Sequence, residues 1–216
     1  MNKYKIIFYT LWILLVSLGP IAVLTNSPLS TLPGHTALII NVLQRIMGLI
    51  TFTLLFIQLV LGSFMPYWTQ KFGGWIFTFH IVEGILIYCL IFAHPILFMF
   101  YRYSIGQGLD PFFIFTAVCA FCRTKMDLYY TLGRVAFWFV NIAVIAGLFR
   151  TATPFLRVHW RKFHILNYFA FLLLGVHSLM LGTDLGTAPF SYFHGPSIVI
   201  VSAILLYKGY LLLKNR

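Results

Sequence analysis

Long apolar runs divide this 216-residue sequence, and they restrict it to a helical membrane protein. Each run has roughly the 20 residues that an α-helix needs to cross a bilayer. Because 61% of the residues are hydrophobic and 9% are charged, a soluble domain of this length could not bury its apolar surface. We therefore predict an all-α fold, a single domain over residues 1–216, with six transmembrane helices near 5–25, 37–63, 74–100, 128–150, 160–182 and 195–213.

The first run follows Lys3 and Lys5, an arrangement that also describes a signal peptide. However, the apolar stretch from Ile6 to Leu24 is long, and no small-residue cleavage site stands out after it. We therefore expect this helix to be retained.

Basic residues predict the orientation of the six helices. If the helices alternate, one side carries Lys3, Lys5, Lys71, Arg150, Arg157, Arg161, Lys162, Lys208, Lys214 and Arg216. The other side carries Arg102, Arg123 and Lys125. The positive-inside rule then predicts a multi-pass protein of the plasma membrane (the inner membrane in a bacterium), with both termini cytoplasmic and membrane lipid around it. The net charge of +11 does not indicate nucleic-acid binding, because the basic residues lie at the ends of runs rather than in one cluster.

Four histidines lie inside these apolar runs. His80 and His94 are 14 residues apart in the third run, and His164 and His177 are 13 apart in the fifth. An imidazole in hydrocarbon is costly, and it is also a ligand of haem iron. If both helices enter from the cytoplasm, His80 and His164 lie near the inner face and the other two near the outer face. Fourteen residues rise about 21 Å, which leaves room for two stacked porphyrins that each bridge the two helices.

The angular spacing suits one pair better than the other. At about 100° per residue, His94 returns to within about 40° of the face of His80, whereas His177 lies about 140° from His164. The fifth helix therefore needs a local irregularity, for which Gly175 is a candidate, or its ligands must approach the haems from different sides.

Other interpretations of the histidines stay open. They could pack or form hydrogen bonds inside the bundle, or serve a cofactor-free transporter or channel by relaying protons or contacting substrate. A non-haem metal needs several ligands around one point, and Glu83 is the only carboxylate within the runs. Glu83 could instead tune the inner haem, relay a proton or pair with an arginine. Gly84, one turn after His80, could make room for a porphyrin or for a helix contact.

The cysteines indicate no c-type haem. Cys119 and Cys122 form a C-A-F-C pair, but no histidine follows it as the attachment signature requires. A loop disulfide, a redox dithiol and two inert thiols all fit this pair. Cys89 fits small-residue packing inside a helix.

Two segments resemble helices three and five of the ferric reductase-like transmembrane domain: F-H-I-V-E-G-I-L-I-Y-C-L-I-F-A-H-P-I-L-F from Phe79, and W-R-K-F-H-I-L-N-Y-F-A-F-L-L-L-G-V-H from Trp160. This superfamily includes ferric reductases, NADPH oxidases and the membrane haem subunit of a periplasmic methionine sulfoxide reductase system. The resemblance extends over residues 37–182 and includes the histidine spacing. It implies that His80 with His164 bind an inner haem b and His94 with His177 an outer haem b. The implied activity is electron transfer from a cytoplasmic reductant to an outer acceptor, as an oxidoreductase subunit.

Two arginines are expected near the depth of His94: Arg45 on the second helix and Arg134 on the fourth. A buried guanidinium needs an anion, and haem propionates would provide one. The alternative is that these side chains reach the outer headgroups. The resemblance supports Arg45, because an arginine at this position lies near the outer haem in the oxidases.

The sequence departs from the ferric reductases and oxidases in one respect. It contains no glycine-rich phosphate loop of a flavin or nicotinamide domain. We therefore expect a stand-alone membrane subunit, with a cytoplasmic flavoprotein reductase or another electron donor as partner and a redox partner on the outer side. A flavin bound in the membrane unit, as that methionine sulfoxide reductase subunit is thought to carry, is not readable from the residues.

Overall fold

The computed structural model describes residues 3–214 apart from the side chain of Leu212, and these residues form helices without a strand. Arg216, which entered the prediction of orientation, lies outside them. The α-helices are α1 (Lys3–Asn26), α2 (Thr36–Ser63), α3 (Met65–Phe72), α4 (Trp75–Ser104), α5 (Pro111–Phe115), α6 (Lys125–Leu148), α7 (Pro154–His164), α8 (Leu166–Leu181) and α9 (Ser191–Lys214). The predicted all-α class is confirmed.

Five helical segments of the described chain are long and apolar enough to cross a membrane. They are α1, α2, α4, α6 and the consecutive helices α7 and α8, which together cover Pro154–Leu181. These segments coincide with the first five predicted spans and are typical of a multi-pass integral membrane protein. The sixth predicted span coincides with α9, which is not among the five. A six-span topology with cytoplasmic termini stays a prediction.

The chain divides into two compact units, whereas the sequence predicts a single domain over residues 1–216. The first unit contains the described residues up to Ile114 and the segment Thr183–Gly195. The second contains Phe115–Gly182 and the described residues from Pro196 onward. Each unit is built around one helix pair: α4 packs against α2 in the first unit, and α8 packs against α6 in the second.

In the first unit, α2 is the central helix because α1 and α4 both pack against it. Gly19 lets α1 approach closely, since a Cβ at this position would lie 2.6 Å from Leu49 Cβ. Glu83 of α4 is 2% exposed and joins the three helices. Its Oε1 accepts from Trp12 Nε1 at 2.6 Å and its Oε2 from Gln58 Nε2 at 2.8 Å. The carboxylate is therefore partnered by an indole and an amide.

An ion pair links the segment before α9 to α2 of the first unit. Arg45 of α2 donates to both carboxylate oxygens of Asp184, from Nε to Oδ2 at 2.8 Å and from Nη2 to Oδ1. Arg45 Nη1 also donates to Ser27 Oγ at 3.0 Å, and Asn26 Nδ2 donates to Asp184 Oδ1 at 2.8 Å. Asp184 falls in a predicted outer loop, yet it is only 2% exposed. These bonds join Asp184 to α2 and to the end of α1.

We predict that Asp184→Ala lowers the free energy of unfolding by about 3–5 kcal/mol, because it leaves the Arg45 guanidinium without its carboxylate. Thermal unfolding in detergent measures the change. Asp110→Ala is the matched control, since this exposed carboxylate only caps the Phe113 amide and its loss should cost about 1 kcal/mol. Equal losses in the two variants would contradict the importance of the ion pair.

Candidate functional site

Each of the four membrane histidines lies against a glycine on the neighbouring helix of its own unit. At Gly48 and Gly133 the contact is closer than a Cβ would allow, and at Gly62 and Gly147 a Cβ would fit only if the imidazole moved by a few tenths of an ångström. The distances from such a Cβ to Cε1 of the ring are 3.2 Å for Gly62 and His80, 2.8 Å for Gly48 and His94, 3.0 Å for Gly147 and His164, and 2.7 Å for Gly133 and His177. We call these four glycine–histidine contacts the histidine seats.

The glycines repeat the spacing of the histidines. Gly48 and Gly62 are 14 residues apart on α2, and Gly133 and Gly147 are 14 apart on α6. Fourteen residues bring a helix back to within about 40° of the same face. Both imidazoles of a unit therefore lie along one face of the partner helix.

The predicted irregularity between His164 and His177 is present, but at a different residue. His164 ends α7, Ile165 interrupts the helix, and α8 begins at Leu166. The amide of Ile165 donates to Lys162 and that of Tyr168 to Ile165, so both bonds span three residues as in a tighter 3₁₀ turn. A 3₁₀ turn rotates the chain further per residue than an α-helix does. It therefore brings His177 closer to the helix face of His164 than 13 residues of regular α-helix would.

Gly175, the sequence-based candidate for this irregularity, has another role. A Cβ at Gly175 would lie 2.8 Å from Ile198 of α9. It therefore permits a close helix contact within the second unit.

Three of the imidazoles also bind the backbone of the partner helix. Nδ1 donates to the carbonyl oxygen of the residue four positions before the seat glycine: Gln44 for His94 at 2.9 Å, Ala143 for His164 at 3.1 Å, and Tyr129 for His177 at 2.8 Å. A carbonyl oxygen only accepts, so the proton is on Nδ1 and the lone pair is on Nε2. This is the tautomer of an imidazole that binds a metal through Nε2.

The seat of His80 is built differently. Gln58, four residues before Gly62, donates from its side-chain Nε2 to the backbone carbonyl of His80 at 2.8 Å. The same amide nitrogen binds Glu83, so one glutamine fixes the turn of α4 that carries His80.

His94 has a polar neighbour at its second ring nitrogen. The side-chain amide nitrogen of Gln44 lies 3.3 Å from His94 Nε2. It also lies 3.4 Å from Nδ1, so it contacts both ring nitrogens about equally, while the backbone carbonyl of Gln44 accepts from Nδ1 at 2.9 Å.

Gly84 has no part in the helix contacts seen here. A Cβ at Gly84 would meet no atom within 4 Å, although the residue lies one turn after His80 on α4. Of the two roles considered from the sequence, helix packing is therefore not observed.

The two arginines predicted to bind propionates have protein partners. Arg45 pairs with the carboxylate of Asp184. Arg134 is 7% exposed, directly follows the seat residue Gly133, and donates from Nη1 to the carbonyl of Ala117 at 2.5 Å. It is thus buried within its unit rather than extended toward headgroups. Pairing of either arginine with a propionate stays a prediction.

Of the three states that fit the C-A-F-C pair, the structure shows the loop disulfide. Cys119 and Cys122 form a disulfide, and Cys89 is a free thiol. Cys89 is exposed, so the expectation that it packs inside a helix contact is wrong.

Among the described residues, no group of three or more His, Cys, Asp or Glu side chains is placed to hold a metal ion. Compared with known proteins, the chain matches no family model, no curated protein and no solved structure. The functional assignment therefore depends on the geometry of the histidine seats.

We predict that Gly133→Ala breaks the bond from His177 Nδ1 to the Tyr129 carbonyl, because the new Cβ would lie 2.7 Å from ring atoms. NMR of isotope-labelled histidine nitrogens in cofactor-free protein should show that His177 loses its hydrogen-bonded Nδ1–H. Gly209→Ala is the control, since a Cβ there meets no atom within 4 Å. Retention of that bond in Gly133→Ala would show that the seat does not position the ring.

Proposed function

We propose that this protein carries electrons across the membrane on two b-type haems, one bound by His80 and His164 and the other by His94 and His177. The observation that carries this proposal is the set of histidine seats. Each seat places an imidazole against a glycine, and in three of them a bond to a backbone carbonyl sets the tautomer that suits ligation through Nε2. Axial ligands of haem iron need such a fixed ring orientation.

The spacing within each unit favours haem over a single shared metal ion. Histidines 13 or 14 residues apart differ in height by about 20 Å, so two of them cannot bind one ion. One imidazole at each height in each unit is instead the set that two bis-histidine haems require. The resemblance of residues 37–182 to the ferric reductase-like transmembrane domain implies the same pairing.

The residues of the chain would tune and hold the cofactors. Haem iron supplies a one-electron carrier that alternates between the ferric and ferrous states. The carbonyls of Gln44, Ala143 and Tyr129 orient the imidazoles and increase the basicity of Nε2. Arg134, next to Gly133, would place a cation beside the seat of His177. At Arg45, a propionate would have to compete with the carboxylate of Asp184.

We infer a path from the cytoplasm to the outer side through a protein with six spans in the plasma membrane. The distribution of Lys and Arg supports cytoplasmic termini, with His80 and His164 toward the inner face. An electron that leaves a negative interior gains about 2.3 kcal/mol per 100 mV of potential. The electron donor would be a flavoprotein reductase or another cytoplasmic reductant, and the acceptor would be an outer-side redox partner.

We predict that His80→Ala or His164→Ala removes the inner haem and that His94→Ala or His177→Ala removes the outer one. A pyridine-haem assay on purified protein measures the content, which should fall by half in each variant. His159→Ala should leave it unchanged, because this half-buried residue also bonds a backbone carbonyl but none of the seat glycines faces it. A haem-free wild type, prepared with ample haem, would favour the transporter or channel alternative.

A second prediction concerns Gly84. We expect Gly84→Leu to lower the inner haem content, because the side chain would extend from the face of α4 that carries His80 without meeting a protein atom within 4 Å at its Cβ. Gly209→Leu is the control with the same exchange on α9. The reduced absorbance spectrum and the thermal stability of both variants separate loss of haem from loss of fold. Full haem content in Gly84→Leu would place the porphyrin elsewhere.

A further inference from the structure

The segment that carries the disulfide is anchored to α6 without it. Trp138 Nε1 donates to the carbonyl of Phe115 at 3.0 Å, and Arg134 Nη1 donates to that of Ala117. The amide of Cys119 donates to Thr131 Oγ1 at 3.3 Å. The bridge itself joins cysteines only three residues apart. Since stabilisation by a disulfide increases with the length of the loop it closes, this bridge adds little as a structural crosslink.

The surroundings of the two sulfurs suit redox chemistry. Thr131 Oγ1 lies 3.2 Å from Cys119 Sγ and 3.9 Å from Cys122 Sγ, where its hydroxyl can stabilise a thiolate. Arg123 follows Cys122 directly, and Lys125 begins α6 two residues later. Cations near a cysteine in the sequence are a feature that favours a thiolate.

The pair is accessible to a partner. Both cysteines are half-buried, but the two residues between them, Ala120 and Phe121, are exposed, and Phe121 is 98% exposed. A substrate could therefore approach the sulfurs from the side of the C-A-F-C loop. The predicted topology places this loop on the outer side, where disulfides persist.

The disulfide and His177 both contact the turn of α6 that contains residues 129–133. Thr131 contacts the sulfurs, while Tyr129 and Gly133 on either side of it hold the imidazole of His177. Two residues along a helix differ by about 200° in direction, so Thr131 and Tyr129 face opposite sides of α6. The disulfide and the His177 imidazole are therefore separated by about one helix diameter, about 10–12 Å. This is a short distance for electron tunnelling.

We propose that Cys119–Cys122 is a redox-active disulfide that accepts the electrons arriving at His177 and passes them to disulfides of an outer-side protein. This inference rests on the proposed function. A b-type haem held by His177 would supply two electrons one at a time, and with two protons from water these would break the S–S bond and form two thiols. One thiolate then attacks a partner disulfide and releases the first partner thiol. The second cysteine attacks the resulting mixed disulfide, restores Cys119–Cys122 and releases the second thiol.

The test counts thiols in haem-loaded, full-length protein under anaerobic conditions. A Cys89→Ser background removes the exposed free thiol. The haem is reduced with a photogenerated one-electron donor, the protein is alkylated with N-ethylmaleimide, and the mass gain is measured. We expect two labels per chain in this background and none when His177→Ala is added. A phosphine reductant should give two labels in both proteins.

The outcomes separate this inference from the function on which it rests. If haem is bound and reduced but the cysteines stay oxidised, the disulfide is structural and the electron carrier stands. Two labels with and without His177 would show direct reduction and overturn the link to the haem. A protein that binds no haem would overturn both proposals.

Thr131 gives an independent measurement that does not require His177 variants to fold. The phosphine-reduced protein should release cysteine from cystine, and Thr131→Ala should slow this exchange roughly tenfold by removing one hydrogen bond to the thiolate. Thr131→Ser keeps the hydroxyl and should restore the rate. Equal rates in all three proteins would show that Thr131 does not activate the pair and would contradict a redox site built around it.

Discussion

The contact between an imidazole and a glycine on the adjacent helix is the interaction on which the site depends. It occurs four times, and in each unit the two contacts run in opposite order along the two helices, as antiparallel packing requires. Because the helices rise equally per residue, glycines 14 apart on α2 seat histidines 14 apart on α4. From α7 to α8 the spacing is 13, and the tighter turn at Ile165 supplies part of the missing rotation. Glycine costs roughly 1 kcal/mol in a helix, which helix packing in the unit offsets.

The two buried carboxylates of the first unit, Glu83 and Asp184, are both paired, as burial in hydrocarbon requires. The carboxylate of Glu83 is bound by Trp12 and Gln58, and that of Asp184 by Arg45. Gln58 matters to the site because it also binds the backbone carbonyl of His80. The network that satisfies a buried carboxylate thus fixes the turn that presents an imidazole. On α6, too, neighbouring residues serve two groups: Tyr129 and Gly133 hold His177, and Thr131 contacts the disulfide.

The features of the fold that the sequence predicts are those that depend on the length and hydropathy of single segments. The apolar runs predicted the positions of α1, α2, α4, α6 and α7–α8, because length and hydropathy suffice for membrane helices. Sequence reasoning missed the seats, since a glycine in a membrane helix has many uses, although the repeated spacing of 14 could have revealed them. The pairing of Arg45 with Asp184 left no local signal, because the residues are 139 positions apart. The sequence suggested Gly175 for the helix irregularity, but the break lies at Ile165. The position of such a break depends on tertiary contacts, which the local sequence does not reveal.

The hydrogen bonds of the seats bear on the alternative of a proton-relaying transporter. A histidine passes a proton by accepting it on one ring nitrogen and releasing it from the other. At His164 and His177, Nδ1–H is directed at a backbone carbonyl, which accepts a hydrogen bond but passes no proton on. A ring flip would free that proton, but the seat glycine leaves the ring little room to rotate. An imidazole held in one tautomer and one orientation is a poor relay and a good axial ligand, which favours electron transfer over proton transport.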